Sequence, residues 1–232
     1  MEYCLETKGL TKHFCANRAL ENVNLTVAPG RVVGLLGPNG SGKTTLIKLA
    51  NGLLTPSSGE LLIYGEKPGP ETKALVSYLP DRETLAEWMS AKQLMDFFAD
   101  FYEDFDRDRA MEMLLRLNID PAMRIKQMSK GTREKVQLIM VMSRKAGLYL
   151  LDEPIGGVDP ATRDYILDTI IRNYNPEAAV IISTHLIADV EKVLDDVIFI
   201  NGGRVVLQSS VDEIREEKGM SVDAYFREVF RC

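Results

Sequence analysis

Long apolar segments are missing from this sequence of 232 residues, although hydrophobic residues make up 45% of it. Its longest apolar runs are far shorter than the roughly 20 residues that a membrane-spanning helix needs. The opening residues Met1-Glu2-Tyr3 do not begin a typical signal peptide. These absences predict a cytoplasmic protein, and the length allows either one substantial domain or a core with a smaller lobe.

Cysteine is scarce, and basic residues do not outnumber acidic ones. The three cysteines, Cys4, Cys15 and Cys232, are odd in number and lack the spacing of metal ligands, which predicts free thiols in a reducing compartment. The formal net charge of -6 argues against the binding of nucleic-acid backbones that a basic surface provides. Repeats and inter-domain linkers are also missing. We therefore expect a single domain and no nucleic acid among its partners.

What the sequence does contain is a glycine-rich motif, Gly37-Pro38-Asn39-Gly40-Ser41-Gly42-Lys43-Thr44-Thr45, which matches the phosphate-binding pattern G-x-x-x-x-G-K-[ST]. Residues 31–36 before it predict a buried strand, and Leu46, Leu49, Ala50 and Leu53 after it fall at helical spacing. The order of strand, loop and helix disfavours the alternative of a glycine-rich turn that merely ends a strand.

The chemistry of this motif points to a nucleoside triphosphate. Glycines permit a tight turn whose backbone N–H groups point at an anion, at the positive end of the following helix dipole. In that arrangement Lys43 reaches the β- and γ-phosphates and assists the transfer of the γ-phosphate. The Thr44 hydroxyl binds Mg²⁺.

Two acids, Asp152 and Glu153, follow an apolar strand predicted at residues 148–151. Ligands of open α/β sheets bind at the carboxyl ends of such strands. Asp152 is predicted to hold Mg²⁺. Glu153 is predicted to orient and deprotonate the attacking water, a role worth roughly 10² to 10⁴ in rate. An acidic turn would be the default interpretation if the phosphate-binding motif were missing.

His185 and Phe14 are further candidates, each with an alternative. His185 follows a strand predicted at residues 179–182, and its place at the same sheet edge as Asp152 favours contact with the γ-phosphate over a structural role. Phe14 lies in a predicted loop before the phosphate-binding motif. A base could stack on its ring with a gain of roughly 1–3 kcal/mol, or the ring could belong to the core, and the sequence leaves both open.

A helical insertion is predicted at residues 83–146, between strands expected at residues 74–79 and 148–151. It starts with a capping box at Ser90 and Gln93, continues with a helix around Met113, and ends with a helix that begins near Ser129. Its acidic residues are predicted to form only a solvated face; they are Asp96, Asp100, Glu103, Asp104, Asp106 and Asp108. Asp159-Pro160 predicts the start of a later helix, and Asn201-Gly202-Gly203 predicts a hairpin.

Met128-Ser129-Lys130-Gly131-Thr132 resembles the LSGGQ signature of ABC transporter ATPases. The other motifs of that family follow in order: Phe14 for the aromatic loop, residues 37–44 for Walker A, Tyr78-Leu79-Pro80-Asp81 for the Q-loop, Asp152 and Glu153 for Walker B, Gly157-Val158-Asp159 for the D-loop, and His185 for the switch histidine. Asp81 replaces the usual Gln, Lys130 replaces the first signature glycine, and Thr132 and Glu134 replace glutamines. The signature sequence Ser129-Lys130-Gly131 and the Q-loop sequence Tyr78-Leu79-Pro80-Asp81 resemble those of the antibiotic and multidrug exporter branch.

The resemblance implies an α/β P-loop NTPase fold. A RecA-like core with an antiparallel β subdomain is expected in residues 1–82 and 147–232, and an α-helical subdomain in residues 83–146. The implied ligands are ATP and Mg²⁺, with Mg²⁺ held by Thr44, Asp152 and Asp81. Asp81 could serve the γ-phosphate only through Mg²⁺ or a water, because an acid repels that phosphate.

The resemblance also implies partners. In a head-to-tail homodimer or heterodimer, Ser129 and Gly131 of one subunit face the ATP bound by the Walker A loop of the other, and Asp159 lies near it. Such a dimer drives a separate transmembrane permease, here of the exporter type, from the inner face of the cell membrane. Soluble ABC-type switches in DNA repair or translation are the alternative, but they carry a long coiled coil or two nucleotide domains, which this sequence lacks. A third interpretation is a small nucleoside-phosphate kinase. The signature helix and His185 both argue against it, because such a kinase would need neither.

Overall fold

The computed structural model describes residues 2–15 and 17–230, apart from the side chain of Ala161, and its strands form two sheets. The strands are β1 (Leu5–Phe14), β2 (Asn17–Val27), β3 (Val32–Leu36), β4 (Ser58–Ile63), β5 (Val76–Leu79), β6 (Leu148–Asp152), β7 (Ala179–Thr184), β8 (Asp196–Asn201) and β9 (Arg204–Ser210). One sheet is antiparallel, in the order β2-β1-β4. The other has six strands in the order β5-β6-β7-β3-β8-β9. Cys232 lies outside the described residues, and the other two cysteines are free.

The six-stranded sheet is parallel except for β9, and it brings distant segments to one edge. Every residue of β3, β6 and β7 is buried, as expected for parallel strands that are covered on both faces. β7 pairs with both β3 and β6, so the carboxyl ends of these three strands are neighbours. The phosphate-binding motif, Glu153 and His185 directly follow these ends in the sequence, and Asp152 is the last residue of β6.

Each face of this sheet has its own apolar core. Successive residues of a strand point to opposite faces. Tyr149 and Leu151 belong to the core that contains the helical insertion, while Leu148 and Leu150 belong to the core formed with α1 and the antiparallel sheet. The helices are α1 (Lys43–Ala50), α2 (Pro70–Leu75), α3 (Ala91–Phe101), α4 (Arg107–Arg116), α5 (Lys130–Met142), α6 (Pro160–Asn173), α7 (Ile187–Val190), α8 (Val211–Lys218) and α9 (Val222–Val229), with 3-10 turns at Ile125–Gln127 and Glu191–Val193. No helix in the described ranges combines the length and apolar character needed to cross a membrane.

Helices α3, α4 and α5 follow one another between β5 and β6. The capping box at the start of α3 is confirmed, because Ser90 accepts a hydrogen bond from the Gln93 N–H and Gln93 accepts one from the Ser90 N–H. Ser129 caps α5, and Asp159 caps α6, as predicted. The division of the chain at residues 83 and 146 into subdomains stays a prediction.

The structure corrects several predicted boundaries. Ala74 and Leu75 were expected in a strand, but they end helix α2, and β5 begins at Val76. α1 ends at Ala50, so Leu53 lies beyond the helix and is 53% exposed. Residues 55–59 were expected to form a turn and residues 60–64 a strand, but β4 spans Ser58–Ile63.

The acidic residues of the insertion are more than a solvated face. Asp104 forms an ion pair with Arg144 at 2.9 Å, and Arg144 is only 2% exposed. Arg144 also donates hydrogen bonds to the carbonyls of Ala74 and Val76, immediately before and within β5. Asp106 caps α4 through the Arg109 N–H, and this hydrogen bond lowers its pKa. These contacts fasten the helical insertion to the edge of the parallel sheet.

Candidate active site

The loop between β3 and α1 is pressed against its neighbours so tightly that glycine is required. A Cβ on Gly37 would lie 2.2 Å from the Ile200 carbonyl oxygen and 2.6 Å from Ser41 Oγ. Gly42 precedes α1 with a φ of +112°, a conformation that other residues rarely adopt, and a Cβ there would lie 2.7 Å from the Ala19 carbonyl oxygen. The loop therefore holds one defined shape at the start of the helix.

Lys43 lies at the centre of this loop and is 5% exposed. Its Nζ donates to the carbonyl oxygens of Gly37, at 2.7 Å, and Pro38, at 3.3 Å, and lies 3.6 Å from Glu153 Oε1. Burial lowers the pKa of Lys43, and the carboxylates of Glu153 and Asp152 oppose that shift. An ammonium group is thus held between the loop and the acid at the end of β6.

Asp152 connects three segments. Its Oδ1 accepts hydrogen bonds from Thr44 Oγ1 at 3.1 Å and from Ser183 Oγ at 2.5 Å, at the end of β7. Burial raises the pKa of Asp152, and the nearby carboxylate of Asp81 adds to this shift, whereas the two hydrogen bonds oppose it. The sequence alone did not identify Ser183 as a site residue, although its position at the strand end just before His185 could have indicated one.

Two buried oxygens of the site lack a hydrogen-bond partner within the described part of the chain, Asp152 Oδ2 and Ser41 Oγ. Such groups are costly unless they bind something. Mg²⁺ prefers carboxylate and hydroxyl oxygens and usually completes its shell with water and substrate phosphates. In the described residues no group of three or more His, Cys, Asp or Glu side chains could hold a metal by itself. A Mg²⁺ ion at Thr44 and Asp152 therefore fits only together with a ligand that supplies further oxygens.

Glu153 faces both Lys43 and His185. Its backbone has a φ of +50°, the left-handed region that non-glycine residues seldom adopt. Its N–H donates to the Ser183 carbonyl at 3.0 Å, and its two carboxylate oxygens lie 3.2 and 3.1 Å from Nδ1 of His185. Strained backbone of this kind concentrates at functional sites. The predicted base and the predicted switch histidine are thus in direct contact.

One cavity of 840 Å³, within the usual size range of ligand pockets, collects most of the predicted site. It is lined by Phe14, Asn39, Gly40, Ser41, Gly42, Lys43, Thr44, Thr45, Asp81, Glu153, Gly157 and His185. The other lining residues are Asn17, Arg18, Ala19, Arg82, Glu83, Lys130, Glu134 and Gly156. Lys130 and Glu134 belong to the signature motif, whereas the sequence pointed to none of the other six, which only the fold brings to the cavity.

Phe14 is the last residue of β1, not part of a loop as predicted. Its side chain is 43% exposed, and it lines the cavity. This exposure excludes the alternative in which Phe14 belongs to the core. The ring is therefore available to a ligand, and its contact with a base stays a prediction.

Three of the predicted signature and D-loop residues, Ser129, Gly131 and Asp159, do not line this cavity, although their neighbours Lys130 and Gly157 do. They line an adjoining depression of 300 Å³ between the start of α5 and the start of α6. Ser129 Oγ accepts from the Thr132 N–H at 3.2 Å, and Asp159 accepts from Thr162. A Cβ on Gly131 would meet nothing within 4 Å. A single subunit therefore does not bring these residues into the cavity that holds Lys43.

Arg163 joins the D-loop to the segment that follows His185. On α6, its Nε donates to the Val158 carbonyl at 3.1 Å, and its Nη1 donates to Asp189 in α7 at 2.8 Å. No sequence pattern pointed to this residue.

Comparison with known proteins agrees with these motifs. A model of the ABC transporter family matches residues 20–156. The ABC transporter ATP-binding protein YtrB of Bacillus subtilis is 30% identical over 216 residues, which cover 92% of this chain and 74% of that protein. The daunorubicin resistance ATP-binding protein DrrA3 of Streptomyces coeruleorubidus is 29% identical over 229 residues, which cover 95% of this chain and 72% of that protein.

Solved structures share the fold. The structure of an ATP binding subunit of an ABC transporter superposes with a TM-score of 0.88 at 30% identity, covering 98% of this chain and all of that chain (100%). The dimeric ATP-binding cassette MJ0796, bound to ADP and Pi in a post-hydrolysis state, superposes with a TM-score of 0.78, covering 89% of this chain and 98% of that chain. Its identity is only 22%, so this second likeness concerns the fold alone.

Proposed function

This chain belongs to the ABC transporter family of ATPases, and we propose that it binds ATP between two subunits and hydrolyses it to drive a separate transmembrane permease. The observation that carries the proposal is the arrangement of Lys43, Asp152 and Glu153 at neighbouring strand ends beside one cavity. This arrangement supplies a phosphate ligand, a Mg²⁺ ligand and a general base, the groups that triphosphate hydrolysis requires.

Substrate binding uses the loop between β3 and α1. Its backbone N–H groups and the N-terminus of α1 attract the phosphates of ATP, and Lys43 leaves its contacts with the loop carbonyls to bind them. Thr44 and Asp152 would hold Mg²⁺, which would neutralise phosphate charge. Phe14 receives the base on its exposed ring. Asp81 would be a third ligand of Mg²⁺ in this proposal.

Glu153 acts as the general base. Its carboxylate accepts the proton of the attacking water, and His185, whose Nδ1 lies within 3.2 Å of both carboxylate oxygens, holds it in position. Nε2 of His185 is then the ring nitrogen that meets the γ-phosphate. Asp152 cannot replace Glu153, because it is buried and engaged by Thr44 and Ser183.

The second half of the site comes from another subunit. Ser129, Gly131 and the N-terminus of α5 form an anion-attracting helix start, and neither Ser129 nor Gly131 lines the cavity of its own chain. A head-to-tail homodimer or heterodimer sets it against the γ-phosphate of the facing subunit. The dimeric state of the MJ0796 cassette, with ADP and Pi bound, is consistent with this arrangement.

The permease partner docks on the helical insertion and on the segment around Asp81. Large apolar side chains are exposed there, including Trp88 at 66% and Phe101 at 69%, and exposed aromatic side chains often mark contact surfaces.

The likeness to a daunorubicin resistance protein favours export. This contact holds the subunit at the inner face of the cell membrane. A soluble ABC-type switch, the alternative, would not co-purify with a membrane protein.

Replacement of the general base tests the mechanism. We expect Glu153→Gln to leave ATP binding intact and to lower turnover by roughly 10² or more, because the amide cannot accept the proton. The variant should accumulate as an ATP-bound dimer in size-exclusion chromatography. Glu216→Gln, which changes an exposed glutamate in α8, is the matched control. Parent-like turnover of Glu153→Gln would exclude Glu153 as the base.

A further inference from the structure

Lys12 contacts the ring of Phe14 from outside the nucleotide cavity. Its Nζ lies over the ring, 5.1 Å from the centroid. Phe14 lines the cavity of 840 Å³, whereas Lys12 does not. The ring is therefore in contact with a cation that lies outside the cavity that the ring itself lines.

The ammonium group of Lys12 is itself held in place. Nζ donates to the Thr55 carbonyl oxygen at 2.8 Å, in the turn before β4. That turn is attached to the end of β1 by two hydrogen bonds, from the Ser57 N–H to the Thr11 carbonyl at 2.9 Å and from the His13 N–H to Ser57 Oγ at 3.0 Å. Lys12 thus links Phe14 to a segment of fixed position.

An aromatic side chain that is 43% exposed would otherwise exchange among several staggered rotamers. A cation over one ring face favours the rotamer that keeps this contact. It also withdraws electron density from the ring, which favours stacking of an electron-rich base on the opposite face.

We propose that Lys12 is a positioning residue for the nucleobase: it holds the Phe14 ring so that a purine stacks on the face turned to the cavity. The inference rests on the proposed function, in which Phe14 carries the base. Lys12 acts through the ring and not through the phosphates.

The test compares a ligand that has a base with one that lacks it. Binding of Mg-ATP and of inorganic tripolyphosphate with Mg²⁺ is measured by calorimetry for the full chain. We expect Lys12→Met to weaken ATP binding about two- to fivefold and to leave tripolyphosphate binding unchanged. Lys12→Arg should retain the affinity for ATP, because a guanidinium also binds an aromatic face.

Lys8→Met is the matched control, because it removes the same charge from the same strand at a side chain that is 62% exposed and paired with Glu6. It should change neither affinity. In a Phe14→Ala background, Lys12→Met should have no further effect, because the ring through which it acts is gone.

Three results would overturn the inference. They are equal losses of ATP and tripolyphosphate affinity in Lys12→Met, an undiminished effect in the Phe14→Ala background, and parent-like ATP affinity in Lys12→Met. Failure of the proposed function is different and is seen in the parent chain, as ATP binding no tighter than tripolyphosphate or not at all.

Discussion

Gly37 and Gly131 are both predicted site residues, but their surroundings differ. A Cβ on Gly37 would collide with the backbone of Ile200 at 2.2 Å, whereas a Cβ on Gly131 would meet nothing within 4 Å in its own chain. The requirement for glycine is therefore internal at the phosphate-binding loop. At the signature motif, glycine is required only if another molecule approaches Gly131.

Replacing each of these glycines with alanine tests the two requirements for glycine separately. We expect Gly37→Ala to lower the free energy of unfolding by about 1–3 kcal/mol or more, because neighbouring backbone must shift. Gly131→Ala should keep or raise stability, because alanine favours helices by about 1 kcal/mol, yet it should reduce turnover and ATP-dependent dimerisation. Thermal unfolding and size-exclusion chromatography with ATP measure these effects. Undiminished turnover of Gly131→Ala would contradict the proposed contact with a second subunit's nucleotide.

Single residues were predictable where a motif carries the chemistry. Lys43, Thr44, Asp152 and Glu153 were identified because strand, loop and residue type together indicate a phosphate and its metal. Their partners were harder to predict, because Ser183 reaches Asp152 only through the pairing of β6 with β7. The contacts of Lys12 depend on a turn more than 40 residues away (Thr55, with a separation of 43).

Among the elements, the buried parallel strands were the most predictable. β3, β6 and β7 are short apolar runs, and all three are confirmed. The boundary between α2 and β5 was missed because Ala74 and Leu75 continue the apolar run of β5. In the structure both residues are exposed at the end of a short helix. Apolar content alone could not distinguish the last turn of this helix from the first residues of the strand.

Arg163 should transmit conformational changes between the D-loop and α7. It donates hydrogen bonds both to the Val158 carbonyl in the D-loop and to Asp189 in α7, after His185. We expect Arg163→Ala to lower turnover about tenfold, which corresponds to about 1.4 kcal/mol, because two charge-assisted hydrogen bonds that fix these segments are lost. Steady-state ATPase rates with saturating ATP measure the effect.

Arg172→Ala on the same helix is the control, because Arg172 forms only an exposed pair with Asp168, which contributes little. Arg163→Lys should recover part of the activity through its charge. If Arg163→Ala lowered thermal stability but left turnover at the parent rate, Arg163 would be a structural residue only.

At the scale of the whole molecule, the exposed aromatic residues of the helical insertion test the proposed contact with a transmembrane permease. We expect Trp88→Ala combined with Phe101→Ala to abolish co-purification of the proposed permease from membranes, because these variants remove large exposed apolar side chains from the proposed contact surface. ATP binding by the isolated subunit should not change. Pull-down followed by identification of the co-purified protein provides the measurement.

The control for this surface is Val206→Ala, which alters a residue that is 51% exposed in β9, outside the insertion. It should leave the co-purification unchanged. Equal recovery of the permease with the double variant and with the control would show that docking takes place on another face.

The position of β7 between β3 and β6 has a consequence for protein synthesis. On the ribosome, the glycine-rich loop and both acids are made well before residues 179–184, yet they cannot be held beside each other until that strand is inserted between their own. A nascent chain that ends before residue 179 is therefore unable to hold nucleotide between the glycine-rich loop and the two acids. ATP can stabilise this site only after residues 179–184 have been made, and it cannot guide the folding of the residues that precede them.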